Sequence, residues 1–161
     1  MTSTSLQIRP ATRADIPTIV RFIRELAEYE KLLHVCRTTE SALASQLFGE
    51  RPYAECLIGE LGGKPEGFAL FFHNFSTFEC KPGIYLEDLY VSPVARGKGL
   101  GKALLLTLAR LAVQRGCARL EWAVLDWNTP AIEFYHSIGA VAMDEWTVMR
   151  LTGDALARAG S

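Results

Sequence analysis

Apolar residues recur along this chain with two different periods. In four stretches they return every three or four positions, which is the spacing of one face of an α-helix. These predicted helices cover residues 16–33, 40–48, 100–115 and 129–139. In six other stretches apolar and polar residues alternate, or a short apolar run occurs, as in β-strands. The predicted strands cover residues 6–9, 54–60, 67–73, 84–91, 120–124 and 141–151.

Capping and turn residues mark the ends of several of these elements. Thr38 or Thr39 can cap the second helix, and Gly49 follows its last residue. Gly62-Gly63 predicts a tight turn between the second and third strands. The tail from Thr152 onward is rich in alanine and glycine, and we expect it to fray.

The order of the elements is β-α-α-β-β-β-α-β-α-β, with no internal repeat and no linker. This order predicts an α/β fold in which a central mixed β-sheet is flanked by helices on both faces. A chain of 161 residues, 49% of them hydrophobic, is long enough to bury one core. We therefore expect a single domain over residues 1–161.

The net charge and the N-terminal sequence argue against two classes of partner, nucleic acids and membranes. The formal net charge is −1, so the chain has no broad basic field to recruit nucleic acid or an anionic membrane. The first residues lack the basic and apolar regions of a signal peptide, and no apolar run is long enough to span a bilayer. We expect a soluble cytoplasmic protein without nucleic acid or membrane partners.

The cysteines and histidines predict no metal site. Neither set has the close pairs that metal ligands require. The residues are Cys36, Cys56, Cys80, Cys117, His34, His73 and His136.

A glycine-rich stretch lies between the fourth strand and the third helix, and it reads Arg96-Gly97-Lys98-Gly99-Leu100-Gly101-Lys102. Glycines let the backbone adopt positive φ and approach a ligand closely. The N–H groups at the start of the following helix then face an anion, and the three cations add positive charge. The stretch predicts a cradle for a pyrophosphate, and an ordinary glycine turn with solvated cations is the alternative.

Two other phosphate-binding motifs are excluded, because this stretch lacks a residue that each of them requires. A Walker A loop needs Ser or Thr after its lysine, but Ala103 follows Lys102. A dinucleotide-binding G-x-G-x-x-G motif needs glycine where Lys102 stands.

The chain resembles the GCN5-related N-acetyltransferase (GNAT) superfamily. The R-x-x-G-x-G core of that family matches Arg96, Gly99 and Gly101, and a second motif matches residues 127–140, Trp-Asn-x-Pro-Ala-x-x-Phe-Tyr-x-x-x-Gly-Ala. Residues 8–12, 24–31 and 85–88 are similar to the diamine acetyltransferase subgroup. Residues 76–77 and 123–128 resemble its thialysine Nε-acetyltransferase branch. Spermine-type enzymes carry an acidic residue where Thr77 stands.

The resemblance implies an N-acetyltransferase that uses acetyl-CoA and no metal. The acetyl group would pass directly, in a ternary complex, to a primary amine of a small diamine or lysine-like acceptor, and related enzymes are commonly homodimers. An aromatic-rich segment, residues 71–78, and the last predicted strand are candidates for the dimer interface. Two alternatives remain open: a protein or peptide N-acetyltransferase, and a non-catalytic acyl-CoA-binding sensor.

The resemblance also implies a set of site residues. Glu87 is the candidate base and Tyr135 the candidate acid, and their joint presence argues against the sensor. Tyr29 and Glu30 would bind the acceptor together with Glu87. The residues implied for cofactor binding are Leu89, Tyr90, Val91, Arg96, Gly97, Lys98, Gly99, Leu100, Gly101, Lys102, Asn128 and Ala131.

Each of these roles has a structural alternative. Glu87 could be a solvated strand carboxylate, Tyr135 a core aromatic residue, and Tyr29 and Glu30 the solvated end of a helix. Strand alternation puts Glu87 and Asp88 on opposite faces, so we expect only one of them, Glu87, to face the site.

Overall fold

The structure is a computed structural model that describes residues 5–161. It contains a five-stranded sheet in the order β1-β2-β3-β4-β5, in which only β4 and β5 are parallel. The strands are β1 Leu6–Pro10, β2 Glu55–Leu61, β3 Lys64–Ser76, β4 Lys81–Val91 and β5 Leu120–Trp122. The helices are α1 Ile16–Tyr29, α2 Glu40–Phe48, α3 Leu100–Gln114, α4 Thr129–Ser137 and α5 Gly153–Ala159. The prediction of a mixed sheet with helices is confirmed.

An ion-paired network joins β1 to the start of α1. The guanidinium of Arg9 donates to both carboxylate oxygens of Asp15, at 2.8 and 2.9 Å, and to Glu60 on β2 at 2.8 Å. Asp15 also accepts from the backbone N–H of Thr12 at 2.7 Å. The side-chain hydrogen bond from Arg9 lowers the pKa of Asp15 to about 2. The chain therefore enters α1 through a satisfied and half-buried charge network.

Helices cover both faces of the sheet. On one face, Phe22 of α1 is buried against Phe68 and Tyr90, with ring centroids 6.0 and 5.5 Å away. On the other face, α3 approaches β2 and β3 at two glycines. A Cβ at Gly59 would lie 2.9 Å from the side chain of Leu100, and one at Gly67 would lie 3.3 Å from it. The absence of side chains at these two glycines therefore lets the start of α3 pack closely on the sheet.

The pairing of β3 with β4 contains a β-bulge. Leu70 pairs with Asp88, but the next β3 residue, Phe71, pairs with Leu86. Glu87 is therefore the extra residue on β4. A bulge bends the strand and redirects side chains, and it shifts the in–out alternation by one residue.

The helix predicted to continue to residue 33 ends earlier. Lys31, with φ 62°, lies in the left-handed region that a continuous α-helix does not visit. A short 3₁₀ turn, Leu33–Val35, follows. By contrast, α2 has the predicted bounds, and Thr39 caps it by accepting from the N–H of Ala42 at 3.3 Å.

The last predicted strand is wrong. Residues 141–151 are largely apolar, yet they form neither strand nor helix. An apolar segment becomes a strand only where another strand pairs with it. The tail, which we expected to fray, instead forms α5, where alanines favour the helix.

The contacts divide the chain into two compact units. The first ends at Ala123 and contains the whole sheet with α1, α2 and α3, and the second covers Val124–Ser161. The prediction of one domain over residues 1–161 stays a prediction. Within residues 5–161, the helices are all too short or too polar to cross a membrane.

Candidate active site

The glycine-rich stretch forms the junction between β4 and α3. Gly97 and Gly99 have φ of 74° and 83°, a conformation that side chains other than glycine rarely adopt. The N–H of Ala103 makes the first bond of α3, to the carbonyl of Gly99 at 2.9 Å. The N–H groups of the residues before Ala103 have no carbonyl one turn earlier in the helix, so they are donors for an anion. This geometry fits the pyrophosphate of a CoA-type cofactor.

The cations of the stretch point in different directions. Arg96 donates through Nε to the carbonyl of Val91 at 3.1 Å, and its guanidinium carbon lies 5.4 Å from the ring centroid of Tyr29 on α1. Lys98 and Lys102 are exposed. In this structure the side chain of Arg96 therefore lies against α1.

The last part of β4 has an open edge. On the side of β5, pairing covers only Ile84, Tyr85 and Leu86, and no strand among residues 5–161 continues it. The backbone groups of the following residues on this side can therefore bind an extended ligand as an added strand. The predicted cofactor-binding residues Leu89, Tyr90 and Val91 lie in this stretch.

The side chain of Tyr90 has a separate role in packing. It is buried between α1 and β3, and its hydroxyl donates to Glu25 of α1 at 2.6 Å. Any contact of Tyr90 with a cofactor must therefore come from its main chain.

Two adjacent carboxylates lie at the bulge of β4. Asp88 shares a face with Tyr90, whose ring packs on α1. The pairing with β3 places Tyr85 on this face as well. Burial raises the pKa of Tyr85 and of Asp88, and the nearby charge of Glu87 raises both further. Glu87 thus lies close to both residues. The bulge interrupts the alternation on which the expectation of opposite faces for Glu87 and Asp88 rests, and that expectation stays a prediction.

The environment of Asp88 is the feature of β4 that the sequence reasoning missed. Burial raises its pKa to about 6, and the charges of Glu87 and Glu30 add to the effect. Glu87 is exposed, whereas Asp88 is half-buried. The available signal was the adjacent pair of acidic residues in a strand that leads into the glycine loop.

The predicted acceptor residues lie at the end of α1. Tyr29 is the last residue of the helix, and Glu30 follows it as the C-cap. Burial raises the pKa of Glu30, and its charge acts on Asp88. Glu30, Glu87 and Asp88 therefore form one negative region, which suits an ammonium group.

The second unit carries the other predicted residues on α4. Asn128 is the N-cap, and its carbonyl accepts from the N–H of Ile132 at 3.1 Å. Asn128, Ala131 and Tyr135 follow at intervals of three and four residues, so they share one side of the helix. Tyr135 is half-buried, with its ring centroid 5.5 Å from that of Phe134. Their roles remain predictions.

Possible metal ligands are dispersed in the part of the chain that the structure describes. Within residues 5–161, no three or more His, Cys, Asp or Glu residues form a group that could hold a metal ion.

Comparison with known proteins gives a consistent set of similarities. The sequence model of the acetyltransferase (GNAT) family matches residues 22–140. Thialysine N-epsilon-acetyltransferase of Bos taurus is 40% identical, with 94% of this chain and 95% of the relative covered. L-ornithine N5-acetyltransferase NATA1 of Arabidopsis thaliana is 35% identical, with 93% and 86% covered. Among solved structures, an integron cassette protein of V. cholerae has a TM-score of 0.82 and 30% identity, with 98% of this chain and 99% of that chain covered.

Proposed function

Because the chain belongs to the acetyltransferase (GNAT) family and is an N-acetyltransferase, we propose that it transfers the acetyl group of acetyl-CoA to a small amine. The acceptor is a primary amine of a diamine or a lysine-like molecule, and transfer is direct, in a ternary complex. The observation that carries this proposal is on β4, where one strand combines a carboxylate pair, an open backbone edge and the glycine loop.

Acetyl-CoA, when bound, supplies an acetyl group activated as a thioester. The N–H groups of the glycine loop and of the first turn of α3 hold its pyrophosphate, with Lys98 and Lys102 nearby. The main-chain groups of Leu89, Tyr90 and Val91 pair with its extended arm. One of these N–H groups also stabilises the oxyanion that develops on the carbonyl. By the family resemblance, Asn128 and Ala131 on α4 complete the cofactor site.

Glu87 is the proposed base. A free alkylamine has a pKa of about 10, so it reaches the enzyme as an ammonium ion and must lose a proton before it can attack. Glu87 takes this proton, directly or through a water molecule. The phenol of Tyr135 holds the proton that the leaving sulfur requires. The new N–C bond replaces the C–S bond. The attacking nitrogen loses its second proton as the C–S bond breaks, and this proton replaces the one that Tyr135 gives to the sulfur, while Glu87 releases its proton to solvent.

The charge of the site supports a cationic acceptor. Glu30 and Asp88 add negative charge beside Glu87. The relatives named above act on thialysine and L-ornithine, which carry a second amine besides the one acetylated. Tyr29 and Glu30 are proposed to hold the distal part of such an acceptor.

A cytoplasmic homodimer is part of the proposal. Exposed apolar side chains mark surfaces for association, and two sets occur here. One follows α4 and comprises Val141, Met143, Trp146, Val148, Met149 and Leu151, and the other comprises Phe75 and Phe78 near the turn between β3 and β4. A second copy of the chain would cover these surfaces, and light scattering of the purified protein measures the mass. All four cysteines carry free thiols, as in a reducing compartment.

An amine panel tests the acceptor class. The full-length protein is incubated with acetyl-CoA and with thialysine, ornithine, short diamines, spermidine or lysine-containing peptides, and CoA release is measured. We expect the highest kcat/KM with the small diamines and lysine analogues. Turnover with peptides alone would contradict the small-amine acceptor, and CoA binding without any turnover would support a sensor.

A further inference from the structure

Arg96 belongs to two parts of the molecule. Its main chain opens the glycine loop, whereas its side chain crosses to α1. Nε of Arg96 donates to the carbonyl of Val91 at 3.1 Å, which fixes the direction of the side chain. The guanidinium carbon then lies 5.4 Å from the ring centroid of Tyr29, within the range of a cation–π interaction. One residue therefore contacts both the end of β4 and the end of α1.

The contact is made on the last turn of α1, beside the proposed acceptor residues. One turn earlier, Glu25 accepts a hydrogen bond from Tyr90 of β4 at 2.6 Å. After Tyr29 the helix stops, because Lys31 adopts a φ of 62°. Glu30, which acts electrostatically on Asp88, lies between Tyr29 and Lys31. The position of this carboxylate therefore depends on how the last turn of α1 is held.

The surroundings leave the Arg96–Tyr29 contact room to adjust. Both residues line an open cavity of about 630 Å³ between α1 and the turn that follows β4. Tyr29 is 43% exposed, and Arg96 is also exposed. When the main chain moves, a contact at the rim of a cavity can shift more easily than a contact in a packed core.

We propose that Arg96 is a positioning residue that couples the cofactor loop to the acceptor end of α1. Anion binding fixes the main chain of the loop, and the guanidinium of Arg96 then holds Tyr29 and Glu30 in place for the acceptor. The identity of the two ligands rests on the proposed function, but the link itself does not. Coupling of this kind is reciprocal, so a bound acceptor also strengthens cofactor binding.

Hydrogen exchange tests the link without catalysis. Amide exchange of residues 27–31 is measured in the full-length protein with and without CoA. We expect CoA to slow exchange there in the wild type but not in Arg96→Gln, which keeps the main chain of the loop and loses the cation. Arg110→Gln, an exposed arginine of α3 that contacts Thr107, is the matched control and should behave as the wild type. Equal protection in Arg96→Gln would overturn the proposal.

Steady-state kinetics and CoA affinity separate positioning from phosphate binding. Arg96→Gln and Tyr29→Leu should each raise the acceptor KM by about two- to fivefold, the range for an exposed cation–π contact. The double variant should raise the acceptor KM no more than either change alone. Tyr29→Phe, which keeps the ring, should leave the acceptor KM close to that of the wild type. A tenfold weaker CoA affinity in Arg96→Gln, with the acceptor KM unchanged in Tyr29→Leu, would assign the guanidinium to the phosphates and overturn the link.

The two experiments distinguish failure of the link from failure of the proposed function. If the wild type acetylates no amine while CoA protects residues 27–31 only when Arg96 is present, the link stands and the function fails. If amines are acetylated while protection is independent of Arg96, the function stands and the link fails.

Discussion

Two aspartates in this chain, the buried Asp15 and the half-buried Asp88, have opposite environments. Asp15, at the start of α1, receives two hydrogen bonds from Arg9, and its pKa falls to about 2. Asp88 follows the bulge of β4. Its pKa is raised to about 6, mainly by burial and further by the charges of Glu87 and Glu30. Asp15 is therefore satisfied as an anion, whereas Asp88 is destabilised as one.

The difference supports the proposed location of the acceptor site. A carboxylate paired with a guanidinium stabilises the fold and has little left to offer a ligand. A carboxylate held near other carboxylates lacks a positive partner, and a cationic substrate would supply one. The comparison therefore favours the proposal that the acceptor amine binds at the bulge of β4 rather than at the network around Arg9.

The largest effect is expected at Glu87. Glu87→Gln removes the proposed base and should lower kcat by on the order of 10²-fold or more, with little change in CoA affinity. Glu50→Gln, an exposed carboxylate after α2, is the control and should leave kcat unchanged. Initial-rate assays with thialysine measure kcat, and calorimetric titration with CoA measures the CoA affinity. An unchanged kcat in Glu87→Gln would remove Glu87 from the mechanism.

The second effect is a gain in stability at Asp88. Its folded pKa of about 6 exceeds the ordinary value of 3.8. The native state therefore binds more protons than the unfolded state between these values, and the free energy of unfolding falls as the pH rises from about 4 to 6. Asp88→Asn should abolish this fall and stabilise the protein at pH 8 by at most about 3 kcal/mol. Urea unfolding at pH 4, 6 and 8 measures the free energy of unfolding of the wild type and of Asp88→Asn. If this free energy changes with pH to the same extent in both proteins, Asp88 is not an unpaired carboxylate.

Local patterns predicted the parts of the fold that local forces determine. The bounds of α2 followed from its apolar spacing and from Thr39 and Gly49, and the loop before α3 followed from its glycines. The family resemblance supplied the cofactor and the list of site residues, including Glu87, which spacing alone could not.

Features that depend on distant residues could not be predicted in this way. The bulge at Glu87 arises from the register between β3 and β4, so strand alternation could not predict it. The direction of Arg96 depends on Tyr29, which is far from it in the sequence. Residues 141–151 are largely apolar, as in a strand, but a strand also requires a partner strand, which the segment's own sequence does not reveal.

The third effect is a loss of stability at Asp15, with the opposite pH dependence to Asp88. Because the folded pKa is lowered from 3.8 to about 2, the stabilisation is present above pH 4 and is lost as the pH falls from about 4 to 2. Asp15→Asn should therefore lower the free energy of unfolding at pH 7 by about 2 kcal/mol. Urea unfolding at pH 7 and 3 checks this, and an equal loss at both values would assign the effect to packing instead.

The smallest effect is expected at Glu60, the second partner of Arg9. Glu60 accepts one hydrogen bond, from Nε at 2.8 Å, whereas Asp15 accepts two and also binds Thr12. Glu60→Gln keeps an oxygen that can accept the bond and removes only the charge, so the loss should be about 1 kcal/mol. Since β2 lies away from the bulge in the sheet order, kcat should not change. A loss larger than that of Asp15→Asn would make Glu60 the principal partner of Arg9, and a lower kcat would show that the structural and functional carboxylates are not separate.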